Sequence, residues 1–182
     1  AGHTLDNRVS VAATTFCLEM LQNRLHDWDV WAVASAQEEE TLGGALTSPF
    51  DIRPDMAIVI DVCFAKGPGS NDWRSLPLGE GVGLGYGPNI HPALYDAFEK
   101  KAKELEIPYH QDLMPKMSGT DAMAVQVVAE GIPVAVLGIP LRYMHTPVET
   151  VSLKDIRRAG RLMAAFIADL TPDALDQIHW EE

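Results

Sequence analysis

The sequence predicts an α/β fold, a mostly parallel sheet covered by helices, and three features lead there. Segments with a helical period alternate with strand-like segments along the chain. Two strand-like segments, 55–63 (DMAIVIDVC) and 133–139 (PVAVLGI), hold continuous apolar runs, the pattern of strands covered on both faces. No internal repeat or low-complexity segment interrupts the alternation. A length of 182 residues suits one well-buried domain over 1–182 and is short for two.

The elements follow in order. Residues 8–25 place Val9, Ala12, Ala13, Phe16, Cys17, Met20 and Leu21 at a helical period. Residues 28–36 (WDVWAVASA) alternate and are rich in β-formers, so a strand is expected, followed by a second at 55–63. The Gly, Pro, Ser and Asn content of 64–81 marks a surface loop. Gly81-Val-Gly83-Leu-Gly85-Tyr-Gly87 does not fit a G-x-G-x-x-G phosphate loop and reads as a strand with tight turns. Residues 91–106 form an amphipathic helix with Pro92 in its first turn, and 108–114 a short strand. A helix over 120–130 closes at Gly131, and a buried strand follows at 133–139. Ser152-Leu-Lys-Asp155 resembles a capping box that opens a helix reaching about Leu170. Thr171-Pro172 starts a short final helix or tail.

Composition narrows the function. Apolar residues are 47% and charged residues 22%, a soluble globular balance. A formal charge of −12 argues against nonspecific binding to nucleic acid or anionic membrane. No run approaches 18 apolar residues, and no basic-then-apolar leader opens the chain. Cys17 and Cys63 sit in apolar runs without a C-x-x-C motif, so both are expected as buried free thiols of a cytoplasmic protein.

Acid and histidine concentrate at four places: Asp6, Glu38–Glu40, Asp61 and His145. Each has a plain structural explanation. Asp6 fits a helix N-cap, Glu38–Glu40 the acidic first turn of a helix, His145 an idle loop. Asp61 is harder to explain so, because an acid inside Met-Ala-Ile-Val-Ile-Asp-Val needs a cation or several donors once buried. Three carboxylates and an imidazole converging on the carboxyl ends of strands suit a divalent cation such as zinc, with cobalt or manganese as alternatives. A spare carboxylate beside a ligand is where a general base belongs. His26, His91, His110 and His179 lack such company, and Trp28, Trp31 and Trp73 read as core or interface.

These segments resemble those of a known family. Leu5-Asp6-Asn7-Arg8 is similar to the Leu-Asp-Asp-Arg motif of the M42 metallo-aminopeptidases, the group of the glutamyl and tetrahedral aminopeptidases. Gln37-Glu38-Glu39-Glu40-Thr41-Leu42-Gly43-Gly44-Ala45 resembles their Gln-Glu-Glu-Val-Gly-Leu-Arg-Gly-Ala segment. Asp55 to Val62 resembles their Pro-Asp-x-Ala-Ile-x-Val-Asp-Val strand, and Ser118-Gly119-Thr120-Asp121-Ala122 their Gly-Gly-Thr-Asp-Ala loop. Ile139 to Pro147 resembles their Ile-Pro-x-Arg-Tyr-Ile-His-Ser-Pro segment. Five matches fall in the family's order, from residue 2 to about 170.

The resemblance implies a three-layer sandwich of the zinc-peptidase type with a mostly parallel, mixed sheet. It implies two divalent metal ions, with Asp6 bridging them, Asp61 on the first, and Glu39 and His145 on the second. Glu38 would be the general base, and Gly119, Thr120 and Asp121 would line the substrate pocket unless Thr120 or Ser118 merely caps a helix. Peptides would be the substrates and a homo-oligomer the assembled form. Related two-metal carboxypeptidases or deacylases, and a non-catalytic assembly subunit, are the competing readings. The family's remaining ligand is a histidine well upstream of its Leu-Asp-Asp-Arg motif, and His3 does not stand in its place. The expectation is therefore the carboxyl-terminal part of a catalytic domain, without the N-terminal segment and the small β-rich assembly domain, and inactive in isolation. Asn7, Glu40, Thr41 and Gly43 depart from the family pattern at positions that are not ligands.

Overall fold

The computed structural model describes residues 1–70 and 72–178. In chain order the elements are α1 (Leu5–Leu21), α2 (Gly43–Ile52), β1 (Ala57–Phe64), β2 (Val82–Tyr86), α3 (Pro92–Glu104), β3 (Tyr109–Leu113), α4 (Ala122–Val125), β4 (Val134–Arg142), β5 (Thr150–Val151) and α5 (Leu153–Ala168). A 3₁₀ turn, Ala174–Gln177, ends the described chain, and the reading made for His179 lies outside it.

The sheet is open and mixed, in the order β1-β4-β2-β3, with β5 paired to the end of β4. β1 runs parallel to β4 from Ala57↔Val134 to Phe64↔Leu141, and β2 runs parallel to β3. The two parallel pairs meet in a short antiparallel contact at Gly83↔Gly138 and Leu84↔Leu137. Residues Val134 to Leu141 are all buried. Successive strand residues face opposite sides, so both faces of β4 are covered. Helices α1, α3 and α5 pack together, while α2 packs on α4 and α4 on β4. β1 lies at the sheet margin, and its residues Ala57 to Ile60 are only half-buried, short of the two-sided cover expected of them.

The helical layer is built on one seam. Val9, Ala13, Cys17 and Leu21 form a stripe at four-residue spacing on α1, all buried, and α1 packs most closely on α5. Gly160 allows the approach, because a Cβ there would stand 2.7 Å from the Ala13 carbonyl oxygen and 2.9 Å from Phe16 Cβ. On the other side of α5, Phe166 stacks on Phe98 of α3 with ring centroids 4.2 Å apart. Both cysteines are buried and free, as expected.

Several expectations are corrected. Residues 28–36 form no strand; 31–36 are exposed, Trp31 at 70%. Alternation favours a strand only where a neighbouring strand supplies ladder partners, and among the described residues none lies beside this segment. Trp31 and Trp73 are therefore not core, while Trp28 donates its indole N–H to the Thr171 carbonyl. The helix expected at 120–130 keeps only Ala122–Val125, after which bonds such as Val128 N–H to the Val125 carbonyl tighten the chain into turns. α2 was not foreseen, because its Gly43-Gly44 start and internal Pro49 mask the helical period. Ser152 does cap α5 through the Lys154 N–H, but Asp155 does not complete a capping box. Fully buried, Asp155 accepts the N–H groups of Gly79 and Gly81 at 2.7 and 3.2 Å and pairs with Arg158 at 2.9 Å, pinning the end of the 64–81 loop.

Two measurements check this packing. Gly160→Ala is expected to lower the unfolding free energy by about 1–3 kcal/mol, because overpacking against α1 outweighs the ~1 kcal/mol gain in helix propensity; urea unfolding reads it. On β3, burial pushes the Asp112 carboxyl up to about 6. Its folded-state pKa is raised, so its contribution is fully present below the unfolded value and is lost as pH rises through about 6. Asp112→Asn should therefore stabilise the protein at pH 8, by on the order of 1–3 kcal/mol, with the advantage shrinking as pH falls to 4.5.

Candidate active site

The acidic positions are delivered by different local devices. Asp6 stands at the first turn of α1, where its own backbone and that of Asn7 depart from helical angles, so the regular turns begin after them. Asp61 lies in the carboxyl half of β1 and is 8% exposed. Its Oδ1 accepts the Val62 N–H at 2.8 Å and the Asn7 Nδ2 at 2.7 Å, which ties the start of α1 to the sheet.

Glu38 and Glu39 sit in a tight turn rather than at a strand end. The Gln37 carbonyl accepts the N–H groups of Thr41 and Leu42 at 3.0 and 2.8 Å, and the Gly44 N–H donates to the Ala36 carbonyl. Gly44 is required there, since a Cβ would stand 2.4 Å from the Ala36 nitrogen.

His145 follows the carboxyl end of β4 by three residues, with its backbone in the left-handed region at φ 61° and that of Tyr143 at 62°. Such angles are unfavourable for residues with a Cβ and persist only where the surroundings hold them. Here the Thr146 N–H donates to the Tyr143 carbonyl, and Glu149 accepts the His145 N–H at 3.0 Å.

These segments bring Asp6, Glu39 and His145 together, each with a donor atom within 4.8 Å of the others. His145 Nε2 is 3.2 Å from Asp6 Oδ2 and 3.3 Å from Glu39 Oε2. Two donors sharing a tetrahedral cation at about 2.1 Å each stand about 3.4 Å apart. The donor set, carboxylate oxygen and imidazole nitrogen, thus fits a divalent cation in both spacing and chemistry. The Asp6 side chain is nearly buried, while Glu39 and His145 open to solvent. Asp61 does not join that trio of donors, but the charge of Asp6 acts on it. His3, His26, His91 and His110 stay out of the group.

Crowding shows in the protonation of the acids. Asp61 is pushed up to about 8, chiefly by burial, with the charges of Glu38, Asp6 and Asp121 adding and the Val62 N–H opposing. Burial, then Glu39, Asp121 and Asp6, raise Glu38 to about 7, against the opposing pull of His145. Asp6 rises to about 6 through burial and the Glu39 charge, which outweigh His145. A cation placed among these groups would reverse the repulsion that raises them.

The 118–121 loop divides. Gly119 has φ 68° and open space around its Cα. Thr120 is buried, and its hydroxyl oxygen accepts the Ala122 N–H while donating to Ser118 Oγ, although the N-cap position of α4 is Asp121, which makes no side-chain cap bond. Asp121 accepts a hydrogen bond from the Ser35 hydroxyl and acts electrostatically on Glu38 and Asp61. Two site residues escaped the sequence reading. Asn7 reads in the sequence only as a departure from the family pattern at a position that is not a ligand. Glu149 is 2% exposed and accepts the backbone N–H groups of Asp6 and His145; its only signal was an acid two residues past Pro147.

Fold and cluster together define an α/β protein with a carboxylate–histidine centre suited to a divalent cation. The M42 glutamyl aminopeptidase family matches residues 1–162, and the chain belongs to that family. It is 38% identical over 168 residues to the lysyl aminopeptidase of Pyrococcus furiosus, covering 92% of this chain and 48% of that protein. Among solved structures it resembles the aminopeptidase APDkam598 of the archaeon Desulfurococcus kamchatkensis at 36% identity and TM-score 0.89, over 99% of this chain and 52% of that one. It also resembles PhTET1-12s, solved as a dodecamer, at 25% identity and TM-score 0.79, over 93% of this chain and 50% of that one. The chain spans about half the length of the relatives it matches.

Proposed function

We propose that the protein built on this chain is a metal-dependent aminopeptidase that releases amino-terminal residues from peptides. The observation that carries this reading is the meeting of Asp6, Glu39 and His145 within 4.8 Å, with Glu38 beside them, in a chain of the M42 family. Asp6 has two carboxylate oxygens and would bridge two divalent cations, zinc first, with cobalt or manganese as alternatives. Glu39 and His145 would hold one cation and Asp61 the other. When bound, such a pair supplies an acidified water and a polarised scissile carbonyl.

The chain's own groups do the rest. Glu38 takes the proton of the attacking water and hands it to the departing amine. Without a cation, burial and neighbouring acids raise its carboxyl to about 7, and a bound cation would draw it down toward the ionised form that accepts a proton. Asn7 keeps Asp61 oriented through its 2.7 Å bond. Gly119 leaves open space in the loop that carries Asp121, and a peptide terminus would use it. The resemblance to PhTET1-12s supports a homo-oligomer. Two free, buried cysteines support a reducing, cytoplasmic setting. Among the described residues no helix is long and apolar enough to cross a membrane.

Two experiments on the full-length protein test this. Glu38→Gln should lower kcat for aminoacyl-nitroanilides by about 10²–10⁴-fold with metal content by elemental analysis unchanged; full activity in that variant removes Glu38 from the role. Dialysis against a chelator should abolish hydrolysis, and zinc or cobalt should restore it. Hydrolysis that survives complete metal removal would refute the mechanism, and no hydrolysis with metal restored would favour an assembly subunit.

A further inference from the structure

We propose that Glu149 is a positioning residue of this centre, a buried carboxylate that sets Asp6 and His145 against each other by holding the backbone N–H of both. The proposal rests on the metal-centre reading above. Glu149 Oε2 accepts the Asp6 N–H at 3.1 Å, and its Oε1 accepts the His145 N–H at 3.0 Å. Its own carbonyl accepts the Gly2 N–H at 2.8 Å, so residues 2–6 are laid along the loop that follows β4. Asp6 and Glu149 are 143 positions apart in the chain. One side chain therefore fixes the two segments whose tips meet at 3.2 Å between His145 Nε2 and Asp6 Oδ2.

The chemistry of the residue fits this task more closely than that of a simple fold staple. The two N–H donors meet different oxygens of one side chain, so as placed they need an acceptor at each. A carboxylate supplies both, whereas an amide would turn its NH₂ against one donor. Its buried charge adds to the repulsion already acting on Asp6, which is unfavourable for the cation-free fold and favourable once a cation sits among the acids. The His145 backbone is held in the left-handed region, and the bond to Glu149 is made by the N–H of that same residue. Losing it frees the loop to relax and carries the imidazole away from Asp6.

The test uses the full-length protein stripped of metal, titrated with Co²⁺ and followed by its visible absorption bands, with urea unfolding of the metal-free form alongside. Wild type must bind cobalt; if it does not, the metal-centre reading fails, independently of Glu149. Glu149→Gln is expected to weaken cobalt binding by about 10–100-fold and to alter the band shape. Wild-type affinity and bands, with only the urea midpoint lowered, would make Glu149 a structural staple and overturn the proposal. Glu149→Asp guards against misfolding of the first variant: it keeps the charge but is one methylene too short to meet both N–H groups. It should also bind cobalt more weakly than wild type, and wild-type affinity in it would overturn the positioning role.

Discussion

Asp6, Glu38, Asp61 and Glu149 are gathered into one half-buried region, and among the described residues no lysine or arginine forms an ion pair with any of them. That concentration of like charge is the constraint on which the rest depends. Burial alone would push carboxylates up, and their mutual repulsion pushes further, to about 6 at Asp6, 7 at Glu38 and 8 at Asp61. Only firmly held segments keep such groups together. The protein supplies N–H donors from Asn7, Val62, Asp6 and His145, and the imidazole of His145.

The larger architecture serves that end. Parallel pairing of β1 and β4 sends both strands toward the same side, so Asp61 and the loop that bears His145 arrive together. The start of α1 must meet them, and its place is set by the close seam with α5 at Gly160. The turn of Gln37 to Gly44 brings Glu38 and Glu39 in from a segment that belongs to no strand. Rigid packing on one side and short, tightly bonded turns on the other give a centre whose Glu39 and His145 face solvent.

The comparison of sequence with structure is sharpest at particular elements. α3, β4 and α5 follow their periodicities because each is long or apolar enough for local pattern to match its burial. Residues 28–36 have the same kind of pattern and no strand, since a ladder needs a partner as well as a propensity. Asp155 lies at the right offset for a capping box and is spent instead on two glycine N–H groups 74 and 76 residues away. In the Ser118–Asp121 loop, the Thr120 hydroxyl accepts the Ala122 N–H, and the Asp121 charge acts on Glu38.

From the sequence alone came the α/β class, the order of most elements and the acids and histidine of the centre. Local periodicity, an acid embedded in an apolar run and five segments resembling one family are all properties of neighbouring residues. Tertiary structure alone decided the antiparallel junction of β2 with β4, the tie of Asn7 to Asp61 and the two hydrogen bonds that Glu149 accepts from the Asp6 and His145 N–H groups. Those contacts join residues as far as 54 and 143 positions apart. A hydrogen bond between distant segments leaves no period along the chain, because its partners are matched only by the packing that brings them together.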